Sequence, residues 1–452
     1  MSSTRDLTTG NVTKQLISFS IPVFLGQLLQ QFYNIVDTAI VGKVLGVEPL
    51  AAVGATGSIM FMIIGMCTGM CAGCAIPVSQ RFGAKDERGV RKAVAGCLWV
   101  GVIMAVIFTV GTTLLCDNIL KWMDTPSNII NYAYSYLIVI FLGIPATYLY
   151  NMLAGIIRAL GDSKTPLYFL IFSTILNLIL DLLFVLVFRM GISGASLATV
   201  LSQLVSGILC LMLVIKKFTI LRMNRGELKY DGDEVKRLFE VGFPMGIQYS
   251  ITAIGSILLQ TSVNGLGSDY VAAMVSGGKI NMFLMAPFDA LGTAIATFTG
   301  QNLGAKKLDR IYEGVKKSML IGMVYSIFAF IFVFFFSGKL ALIFLDASET
   351  VIIHNVRYVN LITISAFWFL LAVNVIRFTI QGLGHSNIAV ISGILEMIAR
   401  GMMGLFVVPR FGFIFACMAS PLAWVMADCF LIPTYLKIMK NIKEQFESMA
   451  IV

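Results

Sequence analysis

Apolar residues along this chain neither alternate with polar ones nor keep to one face of short helices. They gather into runs of about twenty, the length an α-helix needs to cross the hydrocarbon core of a bilayer. Twelve such runs are predicted as spans, near 15–44, 50–78, 91–116, 129–155, 165–188, 192–215, 237–265, 270–299, 315–337, 353–380, 386–409 and 413–436. Transmembrane barrel strands would read as segments of about ten residues with alternating polarity, and no such alternation is present. The predicted fold class is an all-α polytopic membrane protein with twelve transmembrane helices.

One polar stripe interrupts the first run. Gln27, Gln30, Asn34 and Asp37 recur at spacings of three, four and three, which places them on one helix face. An ionisable residue at membrane depth costs about 2.5–3.5 kcal/mol even on lenient insertion scales, so Asp37 calls for a function.

The longest hydrophilic connection, between spans six and seven, divides the chain into two related halves. Gln80-Arg81-Phe82-Gly83-Ala84-Lys85 matches Gln301-Asn302-Leu303-Gly304-Ala305-Lys306, and Leu160-Gly161-Asp162-Ser163 matches Leu383-Gly384-His385-Ser386. Asn151 and Asn374 pair in the same way. Residues 1–215 are expected to form an N-lobe, 216–236 a cytoplasmic linker and 237–452 a C-lobe. Six spans per half is an even number, so the halves share one orientation. That is the parallel-repeat plan of secondary transporters, whose site lies between halves that rock against each other.

Charge follows topology. Most of the 33 Lys and Arg fall at the termini and after even-numbered spans, which predicts cytoplasmic termini and makes a nucleic-acid partner unnecessary to explain the net charge of +9. Lys279, Arg357 and Arg400 are read as lying within spans. Composition agrees with membrane residence: 58% hydrophobic, 13% charged, mean hydropathy +0.88. No basic-then-apolar signal peptide opens the chain, so the first span is expected to be its own insertion signal.

The other acids away from the ends of the spans are Asp181, Asp289, Glu396 and Asp428. Glu396 and Arg400, four apart on one span, are expected to neutralise each other, while Asp289 and Asp428 have no evident partner nearby in sequence. Asn177 lies one turn before Asp181 on span five, and span six adds Thr199. With Asp37 these offer oxygen ligands of the kind hard cations prefer, or two carboxyls able to share a proton, or a hydrogen-bonded packing network. Cys67, Cys71 and Cys74 have the C-x3-C-x2-C spacing of an iron–sulfur loop, but they lie at helical spacing among small residues that suit close helix packing. No metal-ligand set, nucleophilic triad or phosphate-binding loop assembles, and an ion gradient is left as the energy source. The chain is predicted not to be an enzyme and to need no cofactor.

The twelve spans, the two lobes, the repeated Gln80…Gly83-Ala84 and Gln301…Gly304-Ala305 ends, Pro22 and Pro244 opening each lobe, and Asp37 followed by Gly42 together resemble the multidrug and toxic compound extrusion (MATE) family over essentially the whole chain. The resemblance implies a V-shaped antiporter that exports amphipathic, often cationic compounds in exchange for Na+ or H+. In the prokaryotic branch with an N-lobe ion site, it implies that Asp37, Asn177, Asp181 and Thr199 form the ion- or proton-coupling set. Gln30, Asn34 and Asn151 are expected in the substrate cavity, and Pro22 matches a proline about which span one bends. The branch with a Glu on span seven and an Asp on span ten is not matched. Span seven offers Gln248, Gln260 and Asn264, and span ten offers Asn374 and no acid.

The expected setting is a bacterial inner membrane, with lipid and small-molecule partners and a monomeric chain. The alternatives are a lipid-linked oligosaccharide flippase, which would show a basic cavity, and a membrane enzyme with a Cys-ligated cluster.

Overall fold

The computed structural model describes residues 4–224 and 226–451. Its helices are α1 (Val12–Ile40), α2 (Val47–Gly83), α3 (Glu87–Trp122), α4 (Ile130–Leu142), α5 (Ile144–Ala159), α6 (Lys164–Asp181) and α7 (Ile192–Lys217). A second series follows: α8 (Gly232–Asn264), α9 (Ser268–Gly304), α10 (Leu308–Ala341), α11 (Thr350–Ser365), α12 (Phe367–Gly382), α13 (Ser386–Met402), α14 (Val408–Phe411) and α15 (Phe413–Ile451). No strand occurs among the described residues. Among the described residues ten helices are long and apolar enough to span a membrane, and up to twelve spans result when each bent pair counts as one.

The bent pairs are α4–α5, at 47°, and α11–α12, at 48°. They are the predicted spans four and ten, and the breaks fall at Gly143 and Ala366, 223 residues apart. Pro145 at the start of α5 cannot donate the backbone bond that would continue α4, which accounts for the first break. The second has no proline.

The repeated motifs are helix ends. After α2 and α9 the chain turns through Lys85 at φ 58° and Lys306 at φ 57°, with the amides of Asp86 and Lys307 returning to Arg81 O and Asn302 O at 3.1 and 2.8 Å. After α5 and α12 the turn uses Gly161 and Gly384, at φ 86° and 91°. These are left-handed C-terminal caps that satisfy carbonyls the helix cannot reach. At Gly161 a Cβ would also stand 2.0 Å from Arg5 O, so glycine is required there.

By contacts the chain divides into two compact units that do not follow chain order. The first comprises Met1–Leu7 and Ile21–Gly246, the second Thr8–Ser20 and Ile247–Val452. The boundaries differ from the lobes expected at 215 and 237 by two exchanged helix starts, and the exchange occurs beside Pro22 in α1 and Pro244 in α8.

Within the first unit the start of α8 packs on α2 through glycine. A Cβ on Gly73 would lie 2.7 Å from Gly242 Cα, and one on Gly246 would lie 2.7 Å from Met66 O. Arg81 bonds the buried Glu234 at 2.8 Å, and Trp99 donates to Leu228 O at 2.9 Å. Within the second unit Arg310 donates to Gly10 O at 2.9 Å, to Gln15 Oε1 at 3.0 Å and to Asn302 Oδ1 at 3.1 Å, which fixes the beginning of α1.

Candidate functional site

Asp37 and Asp181 both stand at places where a regular helix gives way. Asp37 lies four residues before a π-helical turn at Val41–Leu45, and Asp181 is the last residue of α6 before another at Leu182–Val187. Such turns widen the helix and re-aim side chains, and they recur at functional sites. Val41 and Val185 from these turns pack with Ala195 of α7 into a small buried apolar cluster.

The two carboxyls lie close enough to interact electrostatically within the first unit. Asp37 is 7% exposed and Asp181 1%. Asp37 Oδ1 and both oxygens of Asp181 are buried, and none accepts a hydrogen bond. The nearby donors point elsewhere. Thr199 gives its proton to Ala195 O at 3.1 Å, so its oxygen accepts from the Tyr33 hydroxyl at 2.8 Å and from Asn177 Nδ2 at 3.5 Å. Two like charges about 4 Å apart repel by about 4 kcal/mol at an effective dielectric constant of 20. Such a pair therefore calls for a bound proton or a cation between its oxygens, and oxygen donors alone suit a hard monovalent ion.

The structure thus brings Asp37, Asn177, Asp181 and Thr199 together. It adds Tyr33 and the buried Tyr136 of α4, both within electrostatic reach of the two carboxyls. Spacing could have pointed to Tyr33, one turn before Asp37. Nothing in the sequence ties Tyr136 to the pair.

Gln30, Asn151 and Asn177 line one cleft with Tyr33, Tyr150 and Gln203. No charged side chain lines it. Asn151 donates to Thr147 O at 2.9 Å, and Thr147 in turn donates to Gln203 Oε1 at 2.9 Å. Asn34 is exposed and does not line this cleft, so the polar stripe of α1 is divided between different surroundings. Asn177 belongs to both places: it lines the cleft and donates to the hydroxyl beside the carboxyl pair.

The MatE family model matches residues 22–183 and again 244–405, a shift of 222 that begins each time at the proline where α1 or α8 changes unit. The chain belongs to the MATE family. MATE proteins are membrane-embedded transporters and not enzymes. A probable multidrug resistance protein of Bacillus subtilis (strain 168), YpnP, is 32% identical over 310 residues, 68% of each chain. The multidrug export protein MepA of Staphylococcus saprophyticus is 22% identical over 403 residues, 87% of this chain and 89% of that one. A crystal structure of MATE in complex with MaL6 shares the fold, with a TM-score of 0.90 at 21% identity over 97% of this chain and 99% of that one.

The MATE repeat is unequal in its chemistry. The π-helical turn after Asp181 has a counterpart at Met403–Val407, but the one after Asp37 has none, since α8 runs unbroken to Asn264. The second unit presents amides where an acid was not expected: Gln381 Nε2 donates to Gln248 Oε1 at 2.7 Å, and Gln260 Nε2 to Asn264 Oδ1 at 2.9 Å. Glu396 does pair with Arg400, at 3.2 Å, but it also binds Arg377 of α12. Arg377 belongs among the charges within the spans, and the expected two-member pair is a cluster of at least three. Cys67, Cys71 and Cys74 are buried along α2, and a Cβ on Gly242 would meet the Cys74 sulfur at 2.7 Å. They serve close helix packing.

Proposed function

We propose that this protein is a secondary active efflux antiporter that exports amphipathic, often cationic compounds in exchange for Na+ or H+. The observation that carries the reading is the pair Asp37 and Asp181, buried together with three carboxyl oxygens that accept from no donor. Their oxygens, with those of Asn177 and Thr199, would receive the coupling ion, either as a proton on one carboxyl or as a sodium ion among them. Gln30, Asn34 and Asn151 would contact the exported compound. A cation held near a carboxylate loses part of its attraction once the ion has bound, and this opposition is the source of exchange. Coupling requires only that ion and compound favour different conformations. Pro22 would act as the hinge of α1, because a proline inside a helix removes one backbone bond and leaves a bending point.

Names of relatives support drug-like cargo. The protein would work as a monomer in a bacterial inner membrane with both termini in the cytoplasm and with lipid as its other partner. Ethidium transport in proteoliposomes under imposed Na+ or pH gradients tests the reading. Wild type should move ethidium against one of these gradients, and Asp37→Asn should reduce transport to the level of empty vesicles. Normal transport by Asp37→Asn under both gradients would exclude the carboxyl pair as the coupling site.

A further inference from the structure

Three helices of the second unit bring another set of charged side chains into the apolar interior. Arg377 stands on α12, Glu396 and Arg400 one turn apart on α13, and Asp428 on α15, and none is more than 8% exposed. Glu396 accepts from both arginines, one at each carboxylate oxygen. Asp428 is different: it is 5% exposed and neither of its oxygens accepts a hydrogen bond. It nevertheless lies within electrostatic reach of Arg377 and Glu396. In the same cluster Arg377 Nε and Arg400 Nη1 are buried without an acceptor. Donors without acceptors therefore stand near an acceptor without donors.

An ionised Asp428 would draw one of those N–H groups, because an unpaired buried charge is costly and a charge-assisted bond relieves it. The arrangement seen is the one a neutral carboxyl permits. Charge balance points the same way. Asp289 of α9 also lies within reach of Arg377. Two guanidiniums face three carboxyls, so the set is neutral when one carboxyl holds a proton. Glu396 accepts from a guanidinium at each oxygen and Asp289 has no buried oxygen left without a partner, which leaves Asp428. A metal cation would be repelled by the guanidiniums, whereas a proton forms a covalent O–H bond. The other titratable groups on helices packed against α15 do not compete: His354, Arg357 and Tyr358 of α11 and Arg410 of α14 are exposed, as is Cys429 beside Asp428.

We propose that Asp428 is a second proton-binding site, and that Arg377 registers its state. While Asp428 holds its proton, Arg377 stays on Glu396. When the O–H bond breaks and the proton leaves to water, the new carboxylate attracts Arg377 Nε. Arg377 keeps its own proton throughout, and the cluster gains one negative charge. Nothing in this step requires Asp37 and Asp181 to be the coupling pair.

Infrared difference spectra of the purified, detergent-solubilised protein between acid and neutral pH test the assignment through the C=O stretch of protonated carboxyls. In an Asp37→Asn/Asp181→Asn background the carboxylic-acid band should keep a high-frequency component, the signature of a buried acid without hydrogen-bond partners, beside the band of the surface carboxyls. That component should vanish when Asp428→Asn is added, and Arg377→Gln should move the pH at which it titrates. The proposal is overturned if no such component is present in that background, if it survives Asp428→Asn, or if Arg377→Gln leaves its midpoint unchanged. Should Asp428→Asn fail to fold, Asp428→Glu decides: the component must shift in frequency, and an unshifted component assigns it to another residue.

Discussion

The Tyr33 hydroxyl lies 2.8 Å from Thr199 Oγ1, a contact between residues 166 apart in sequence that ties α1 to α7 one turn from Asp37. Thr199 also receives Asn177, so its hydroxyl joins three helices beside the carboxyl pair. Tyr33→Phe removes one neutral hydrogen bond, worth about 1 kcal/mol, and leaves the Asn177 contact in place. Ethidium transport in proteoliposomes should fall several-fold rather than vanish. A loss as complete as that expected of Asp37→Asn would give Tyr33 a direct role in ion binding.

The close approach of α2 and α8 makes Gly73 intolerant of any side chain. Gly73→Val forces its Cβ toward the Gly242 backbone, which cannot recede as a flexible side chain could. Overpacking of this kind costs about 1–3 kcal/mol. The melting temperature in detergent should drop by several degrees, while Gly54→Ala, where a Cβ meets nothing within 4 Å, should leave it nearly unchanged.

Arg81 and Glu234 form a pair in which Glu234 is only 4% exposed. Arg81→Ala leaves that carboxylate stranded, at a cost of about 3–5 kcal/mol. Adding Glu234→Gln should restore much of the lost thermal stability. Additive losses in the double variant would show that the pair does not act as a unit.

The connection before α8 is held by carboxylates whose protonation is perturbed. Arg91 bonded to Glu227, and Lys92 bonded to Asp231, hold both carboxyls below their usual range. A depressed value in the folded state means stabilisation that is present above the ordinary carboxylate range and is lost as the pH falls through the folded value. Hydrogen exchange at residues 226–231 should therefore rise on acidification below that range. Arg91→Ala should show faster exchange already at neutral pH, and identical profiles would deny these contacts any role in holding the segment.

Cysteine labelling offers a direct check of the α2 packing. Seven cysteines are buried and Cys429 is exposed. A maleimide added to the folded protein in detergent should modify Cys429 first. Labelling of Cys71 or Cys74 at a similar rate would mean that α2 and α8 do not pack as described.

The apolar runs alone determined the number and order of spans, because membrane helices must satisfy their backbone internally and each needs about twenty apolar residues to do so. The repeat was equally legible. Its best-matching pieces, around Lys85 and Lys306 and around Gly161 and Gly384, are helix caps whose geometry constrains local sequence. Asp37 and Asp181 stood out because charge at membrane depth is rare. What sequence could not convey is which side chains meet across helices. Asn34 and Gln30 share a stripe, yet only Gln30 lines the cleft. Tyr136 joins the carboxyls from α4, and Arg377 claims the Glu396 that spacing assigned to Arg400 alone. Nor could hydrophobicity show that Val12–Ser20 and Gly232–Gly246 each belong to the unit opposite to their own repeat. Periodicity reports the environment a residue needs, whereas its partners depend on rotations and crossings of helices that only tertiary packing decides.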